Sequence, residues 1–339
     1  MANNSSKSNQ VYITRRLPES AVEMLKREGF DVTLHKGQEP PTRKEIMKNV
    51  EGKDAVLCMI SDRMDKEVMD AAGPQLKIIS SYSTGFEHID VAEATRRGIY
   101  VTYTSDILAE ATADITFALL LACARNIVEG DRMVKQKKWK VGWMPDLLLG
   151  QNVHGSTVGI VGLGKIGAAV ARRARGFGME ILYNNRRRLD EAAEKEAGAK
   201  YVDLDCLLKR SDFVTLHTTL NDASRHLINS QSLQKMKKTA FLINTARGAV
   251  INERDLATAL KKGTIAGAGL DVFEKEPLGG KSPLLALRNV VLLPHIGSAD
   301  LLTRSRMAQV AAKSILDVVV AGKEPGRQFL VNPQVRQRS

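Results

Sequence analysis

The feature that most constrains this 339-residue chain is a strand–helix rhythm that runs through it twice. In the first series Val11–Thr14, Asp31–Leu34, Asp54–Ile60, Leu76–Ser81 and Ile99–Tyr103 read as strands. Amphipathic stretches lie between them: a helix opened by Pro18 and Glu19 and running to about Arg27, one over Pro41–Val50 with Thr42 as cap, and one over Lys66–Ala72. The second series has strands at Thr157–Val161, Glu180–Tyr183, Phe213–Leu216, Ala240–Asn244, Ala266–Leu270 and Val290–Leu293, and a helix near Thr303–Val320 closes the chain. Strands that are apolar along their whole length are buried on both faces. That condition is met by parallel sheets with helices on either side, so the expected fold class is α/β. A chain of this length suits two such domains.

Between the series lies Ala109–Lys138, which reads as one long, mostly helical stretch. Its first half, with Phe117, Leu119, Leu120 and Leu121, must be buried; its second half is charged. A loop with Trp139, Trp143, Pro145 and Gly150 follows. The longest apolar run, about Ile115–Ala124, falls short of the roughly 20 residues a membrane span needs, so no membrane partner is expected. The polar N-terminus has no apolar signal region, which makes a cytoplasmic location the expectation. Residues 1–9 and 333–339 read as disordered tails. Three cysteines, Cys58, Cys123 and Cys206, are far apart and form no CxxC pair, which points to buried reduced thiols and to no bound metal.

The balance of 50 basic to 38 acidic residues, a formal +12, admits a nucleic-acid binder, a protein that handles small anions, or a merely basic surface. The cations are scattered, with local groups at Arg132–Lys140, Arg172–Arg175 and Arg186–Arg188. No zinc-finger spacing or RNA-binding aromatic motif accompanies them, so the anion reading is preferred.

The second series opens on a specific signal. Gly162-Leu163-Gly164-Lys165-Ile166-Gly167 follows an apolar strand and starts a helix expected over Ile166–Phe177. The first glycine permits a tight turn, the second lets a pyrophosphate approach the backbone, and the third lets helix and strand pack closely. The helix N-terminus supplies unpaired N–H groups and a positive dipole end. About 20 residues further on, a carboxylate would bind the adenosine ribose of NAD. Asn185 stands there instead, followed by Arg186, Arg187 and Arg188. A neutral residue does not repel a 2′-phosphate and guanidinium groups can grip one, so NADP(H) is the expected cofactor, with NAD(H) use possible.

Three later strands end in polar residues: Asn244-Thr-Ala-Arg247-Gly, Gly269-Leu-Asp271-Val-Phe-Glu-Lys-Glu276-Pro, and Leu293-Pro-His295-Ile-Gly-Ser298. In an open α/β sheet the carboxyl ends of strands line the ligand crevice. An Arg, an acid and a His beside a nicotinamide suit hydride transfer to an α-keto acid. The Arg forks onto the substrate carboxylate, the His protonates the carbonyl oxygen, and a neighbouring carboxylate favours the imidazolium. His35, His88, His154, His217 and His226 lack such a context and read as structural.

With these motifs assembled, the sequence resembles the D-isomer-specific 2-hydroxyacid dehydrogenases over about residues 11–333, and most of all their glyoxylate and hydroxypyruvate reductase branch. The likeness covers Ser83-Thr-Gly-Phe-Glu-His-Ile-Asp90, Gly162–Gly167, Leu216-His-Thr-Thr-Leu220, Asn244–Gly248, Gly269–Pro277 and Pro294–Ser298. The resemblance implies two Rossmann-like or flavodoxin-like doubly wound parallel-sheet domains with a cleft between them. Residues 1–105 plus 299–339 would form a discontinuous substrate-binding domain and 106–298 the dinucleotide-binding domain. It implies a catalytic set of Arg247, Glu276 and His295, with Glu276 preferred over Glu274 because it directly precedes Pro277. Thr84 and Gly85, with Arg247, would hold the substrate carboxylate. Asp271 would contact the nicotinamide carboxamide. Leu163 to Ile166, Asn185, Arg186, Arg187, Thr245, Ala246, Ile296 and Gly297 would also meet the cofactor. A homodimer through the cofactor domain, using the Ala109–Ala124 helix and the tryptophan loop, is implied as well. The expected reaction is NAD(P)H-dependent reduction of a small 2-keto acid, glyoxylate and hydroxypyruvate first. Phosphite oxidation, a D-lactate or D-3-phosphoglycerate type of reaction and a corepressor-like cofactor sensor are the alternatives. A phosphite enzyme would carry Lys where Thr84 stands.

Overall fold

The structure, a computed structural model, describes residues 8–335. The expected disorder of 1–7 and 336–339 lies outside the described residues. Within the expected tails, Val335 is instead buried: its N–H donates to the Asn332 carbonyl and its side chain joins an apolar core.

The chain divides into two compact units, with the crossings at Leu108/Ala109 and Ser298/Ala299. The first crossing falls three residues beyond the expected one at 105.

The first unit holds a five-stranded sheet of β1 (Gln10–Ile13), β2 (Asp31–Leu34), β3 (Ala55–Cys58), β4 (Ile78–Ser81) and β5 (Tyr100–Thr102), all parallel, in the order 2-1-3-4-5. This is the flavodoxin-like order. Alternate side chains serve opposite faces, as the two-residue period of a strand requires. Val11 and Ile13 pack with helices Glu19–Arg27 and Leu301–Val319, while Tyr12 packs with helices Arg43–Val50, Lys66–Ala72 and Val91–Arg97. Thr42 caps its helix reciprocally with Glu45, as its position suggests. Helix Val91–Arg97 has no counterpart in the sequence reading, although its cap was in plain view. The Asp90 side chain accepts the Glu93 N–H, and Gly98 ends the helix in the left-handed region.

The second unit holds seven parallel strands: β6 (Thr157–Val161), β7 (Glu180–Asn184), β8 (Lys200–Tyr201), β9 (Phe213–Leu216), β10 (Phe241–Asn244), β11 (Gly267–Leu270) and β12 (Val290–Leu292). Their spatial order is 12-11-10-9-6-7-8. Counted within the unit this is 3-2-1-4-5-6 with one more strand, the dinucleotide-binding arrangement. Its direction reverses between β6 and β9, so their carboxyl ends flank the crevice where such sheets bind ligands. β8, only two residues long, was not legible as a strand.

The long stretch after Leu108 is two helices, Ala109–Ala124 and Ile127–Lys135. The break has a local cause. Gln151 N–H takes the Ala124 carbonyl, and Asn126 adopts a left-handed backbone (φ 52°) while its side-chain amide donates to the Leu148 and Leu149 carbonyls. The first helix also corrects the apolar-run estimate. Ser105–Ala124 spans 20 residues at mean hydropathy 1.8, enough by length and composition to cross a membrane. Ala, Cys and Thr positions extend the apolar run beyond Ile115. Its buried Phe117, Leu119 and Leu120 pack as the core of the second unit, against β10, β11 and helix Lys165–Gly176. Cys58 and Cys123 are buried free thiols as expected, whereas Cys206 is half-buried.

Candidate active site

The glycine turn after β6 is built as its spacing requires. Gly162 has φ 98°, and a Cβ there would lie 2.7 Å from the His217 carbonyl carbon at the end of β9. A Cβ on Gly167 would strike the Gly162 carbonyl oxygen. Gly164 faces open space and forms the N-cap of helix Lys165–Gly176, so no side chain closes that helix terminus. Its first N–H groups and dipole remain available to an anion. The amide of Leu163 is an exception: it donates to Asn185 Oδ1 at 2.6 Å. Asn185 thus ties the end of β7 to the turn. Arg186 and Arg187 beside it are exposed and form no ion pair among the described residues. Arg188 is bound to Glu194 at 2.7 Å.

His217, which the sequence left as structural, lies at the same switch point. Both of its ring nitrogens are buried without a hydrogen-bond partner, and burial pushes the imidazole down to about 3, so it is neutral. Unpartnered buried polar atoms are rare in folded proteins. The His217 backbone packs against Gly162 of the turn, so these nitrogens belong to a residue at the ligand crevice. Only its place after a strand end could have signalled this.

The three polar strand ends converge on one another. After β10, the buried Asn244 shapes the turn: its Oδ1 accepts from Ala246 N–H at 3.0 Å and its Nδ2 donates to the Arg247 carbonyl at 2.9 Å. Arg247 Nη1 donates to the Ala246 carbonyl at 2.7 Å. Thr116 donates its hydroxyl proton to Thr112, so Thr245 is the donor in the 2.9 Å bond between Thr245 and Thr116. A Cβ on Gly248 would overlap the Phe273 carbonyl, which brings the β10 turn against the segment carrying Glu276.

Asp271, after β11, is almost fully buried, and its two oxygens accept from Ile296 and Gly297 N–H, each at 2.7 Å. Burial pushes its carboxyl up despite these two bonds. The two amides are committed to Asp271, so Ile296 and Gly297 cannot offer them to a cofactor. The same bonds hold the segment in which His295 takes a left-handed backbone, φ 55°.

Glu276 accepts from Phe273 N–H at 3.0 Å through Oε1 and from His295 Nδ1 at 2.6 Å through Oε2. Burial pushes the Glu276 carboxyl up. The His295 bond and charge, the Phe273 bond and the Arg247 charge outweigh it and hold the group below the usual carboxylate range. An ionised carboxylate only accepts, so Nδ1 carries a proton and Nε2 points elsewhere. Glu274 is directed away, with its Oε1 3.1 Å from His226 Nε2. Both partners of the Glu276–His295 pair are about one-third exposed, so a small molecule has access to the imidazole.

In the first unit, the Ser83–Gly85 turn follows β4. Ser83 donates to the Gly85 carbonyl and accepts from Ser81 at 2.8 Å, which rigidifies the backbone of Thr84 and Gly85.

Comparison with known proteins decides the family. Residues 117–297 match the family model described as D-isomer specific 2-hydroxyacid dehydrogenase, NAD binding domain. The chain belongs to the D-isomer-specific 2-hydroxyacid dehydrogenases. It is 50% identical over 307 residues to a glyoxylate reductase of Korarchaeum cryptofilum, covering 91% of this chain and 92% of that relative. A crystal structure of a Thermus thermophilus protein aligns at TM-score 0.89 with 45% identity, over 95% of this chain and 99% of that one. The NADPH-dependent glyoxylate/hydroxypyruvate reductase of Sinorhizobium meliloti, solved with NADP and malonate, aligns at TM-score 0.83 with 30% identity, over 98% of this chain and all of that one. As a member of this dehydrogenase family the chain is an NAD(P)-dependent oxidoreductase, and the open glycine turn fits its nicotinamide cofactor.

Proposed function

We propose that this dehydrogenase reduces glyoxylate, and hydroxypyruvate, to the 2-hydroxy acid with NADPH. The observation that carries the reading is the 2.6 Å His295–Glu276 pair beside Arg247, at the strand ends of a sheet that opens on a free glycine turn. The reading gains further support from the names of the similar proteins.

A bound nicotinamide supplies the hydride that reaches the carbonyl carbon. The turn Gly162–Gly167, Asn185, Thr245 and Ala246 would hold the cofactor, with Asp271 near its carboxamide. Arg247 offers a planar fork to the substrate carboxylate. Thr84 and Gly85 are the proposed source of backbone amides for the same group. His295 gives its Nε2 proton to the carbonyl oxygen, so one hydride and one proton convert the ketone to an alcohol. Glu276 fixes the Nδ1–H tautomer and orients the ring before transfer. Residues 8–108 and 299–335 would then serve the substrate, and 109–298 the cofactor.

NADPH preference rests on Asn185 in place of a carboxylate and on the unpaired cations Arg186 and Arg187. Wild-type kcat/KM is expected to favour NADPH over NADH. Arg186→Ala combined with Arg187→Ala should lower kcat/KM for NADPH at least about tenfold, with a much smaller effect on NADH. Equal loss with both cofactors overturns the assignment.

The segment 127–149 exposes Ile127, Val134, Trp139, Val141, Trp143 and Leu149, with Trp143 86% exposed. So many exposed apolar side chains in one segment suit a contact site, and we assign it to a homodimer through the cofactor unit. Light scattering of the purified chain should return twice its 37.2 kDa mass. Trp143→Glu together with Leu149→Glu should return the monomer. A monomeric wild type refutes the assignment.

A further inference from the structure

The three arginines after β7 look equivalent in sequence, and the structure separates them. Arg188 forks onto Glu194, with Nε 2.7 Å from Oε1 and Nη2 2.8 Å from Oε2. Tyr183 of β7, fully buried, donates its hydroxyl proton to the same Oε1 at 2.6 Å and accepts Leu189 N–H at 3.0 Å. The Arg188 guanidinium also lies 5.7 Å from the ring centre of Tyr201 in β8, and the two tyrosine rings meet edge to face. Five groups from β7, β8, the turn and helix Glu191–Ala197 therefore close one knot. Two charge-assisted bonds from Arg188 and one from Tyr183 hold the Glu194 carboxyl down to about 2, so it stays ionised throughout the working range.

The knot spans the C-terminal end of the Asn185–Arg187 segment, whose N-terminal end is fixed by the bond from Leu163 N–H to Asn185 Oδ1. The free arginines Arg186 and Arg187 sit between two anchored ends. We infer that Glu194 is a positioning residue for cofactor selection: through Arg188 and Tyr183 it holds the turn so that Arg186 and Arg187 face the 2′-phosphate of NADP, and Arg188 itself does not bind that phosphate. The inference rests on the NADPH reading above. Its physical basis is that a loop ordered in advance binds an anion without the entropy of being ordered on contact.

Two roles for Arg188 predict opposite results. If Arg188 were a phosphate ligand held in reserve, loosening Glu194 would free it and improve NADPH binding. If it is an anchor, loosening Glu194 weakens NADPH binding. Glu194→Gln, Tyr183→Phe, Arg188→Ala and the Glu194→Gln/Arg188→Ala double variant are compared by kcat/KM for NADPH and for NADH, with thermal midpoints. We expect each single variant to lower the NADPH-to-NADH ratio of kcat/KM, about tenfold for Glu194→Gln, through KM rather than kcat. The double variant should lose no more than Arg188→Ala alone, because both act through one contact. A raised ratio in Glu194→Gln, additive losses in the double variant, or equal changes with both cofactors overturns the inference. Tyr183→Phe keeps the ring and guards against a variant that simply fails to fold. A wild type that prefers NADH fails the NADPH reading itself. An NADPH-preferring wild type with unmoved variants fails only the positioning role.

Discussion

Replacing His295 with alanine is expected to lower kcat for glyoxylate reduction by about 10²–10⁴-fold at neutral pH, the usual worth of a positioned general acid. The cofactor does not need the imidazole in order to bind, so KM for NADPH should move far less. Glu276→Gln is the informative companion. The amide still reaches Nδ1 but accepts a weaker, uncharged hydrogen bond, so the ring is held less firmly and kcat falls. The acid side of the pH–rate profile follows from the direction of the Glu276 shift. Its carboxyl is held below the usual carboxylate range, so the ionised form, and the ring orientation it secures, persist in mildly acidic solution. They are lost only as pH falls through that lowered value. Steady-state rates with glyoxylate from about pH 5 to 9 test both variants. An unchanged kcat in His295→Ala would refute the proton-donor assignment.

The second large effect is expected from a single methyl group. Gly248 follows Arg247 directly, and a Cβ there would overlap the Phe273 carbonyl, a backbone group with no rotamer to yield. Gly248→Ala must therefore push the β10 turn and the Phe273–Glu276 segment apart. Phe273 N–H anchors Glu276, and the turn carries Arg247, so one substitution displaces two site residues together. Overpacking of this kind costs about 1–3 kcal/mol or more. We expect the thermal midpoint to fall by several degrees and kcat/KM for glyoxylate by at least about 100-fold, since small misplacements of positioned groups carry penalties of that order. Gly164→Ala is the control for stability: its Cβ position is open, and the thermal midpoint should be held. A stable, fully active Gly248→Ala would show that the two segments are not packed as described.

Much of the site was legible because each residue sits at a place the chain marks locally. Glycines at positions 162 and 167 announce a turn whose backbone conformation and clearance other residues cannot meet, and the structure has them so, while the Cβ position of Gly164 is open. His295, Arg247 and Glu276 each follow an apolar run, and a parallel sheet brings all its strand ends to one side. What escaped the sequence were relations between distant side chains. Arg186, Arg187 and Arg188 are one run of identical letters, yet only Arg188 meets a carboxylate, because the helix after the turn brings Glu194 back to it. Asp271 reads as an acid beside a cofactor, and its oxygens are occupied by the Ile296 and Gly297 amides. His217 reads as an ordinary core histidine, and its ring nitrogens are buried without a partner while its backbone packs against the glycine turn.

The sequence by itself determined the α/β class, the two parallel sheets and the identity of the chemical groups. Hydrophobic periodicity and glycine spacing act over a few residues and need no partner to be read. Only the tertiary structure decided which groups are engaged with one another. Where the long helix breaks depends on Gln151 N–H claiming the Ala124 carbonyl from 27 residues away. How Glu276 is aimed at His295 depends on the bond that its other oxygen accepts from Phe273 N–H. Hydrogen bonds act over about 3 Å in space, and no local pattern in the chain encodes that distance between residues so far apart in sequence.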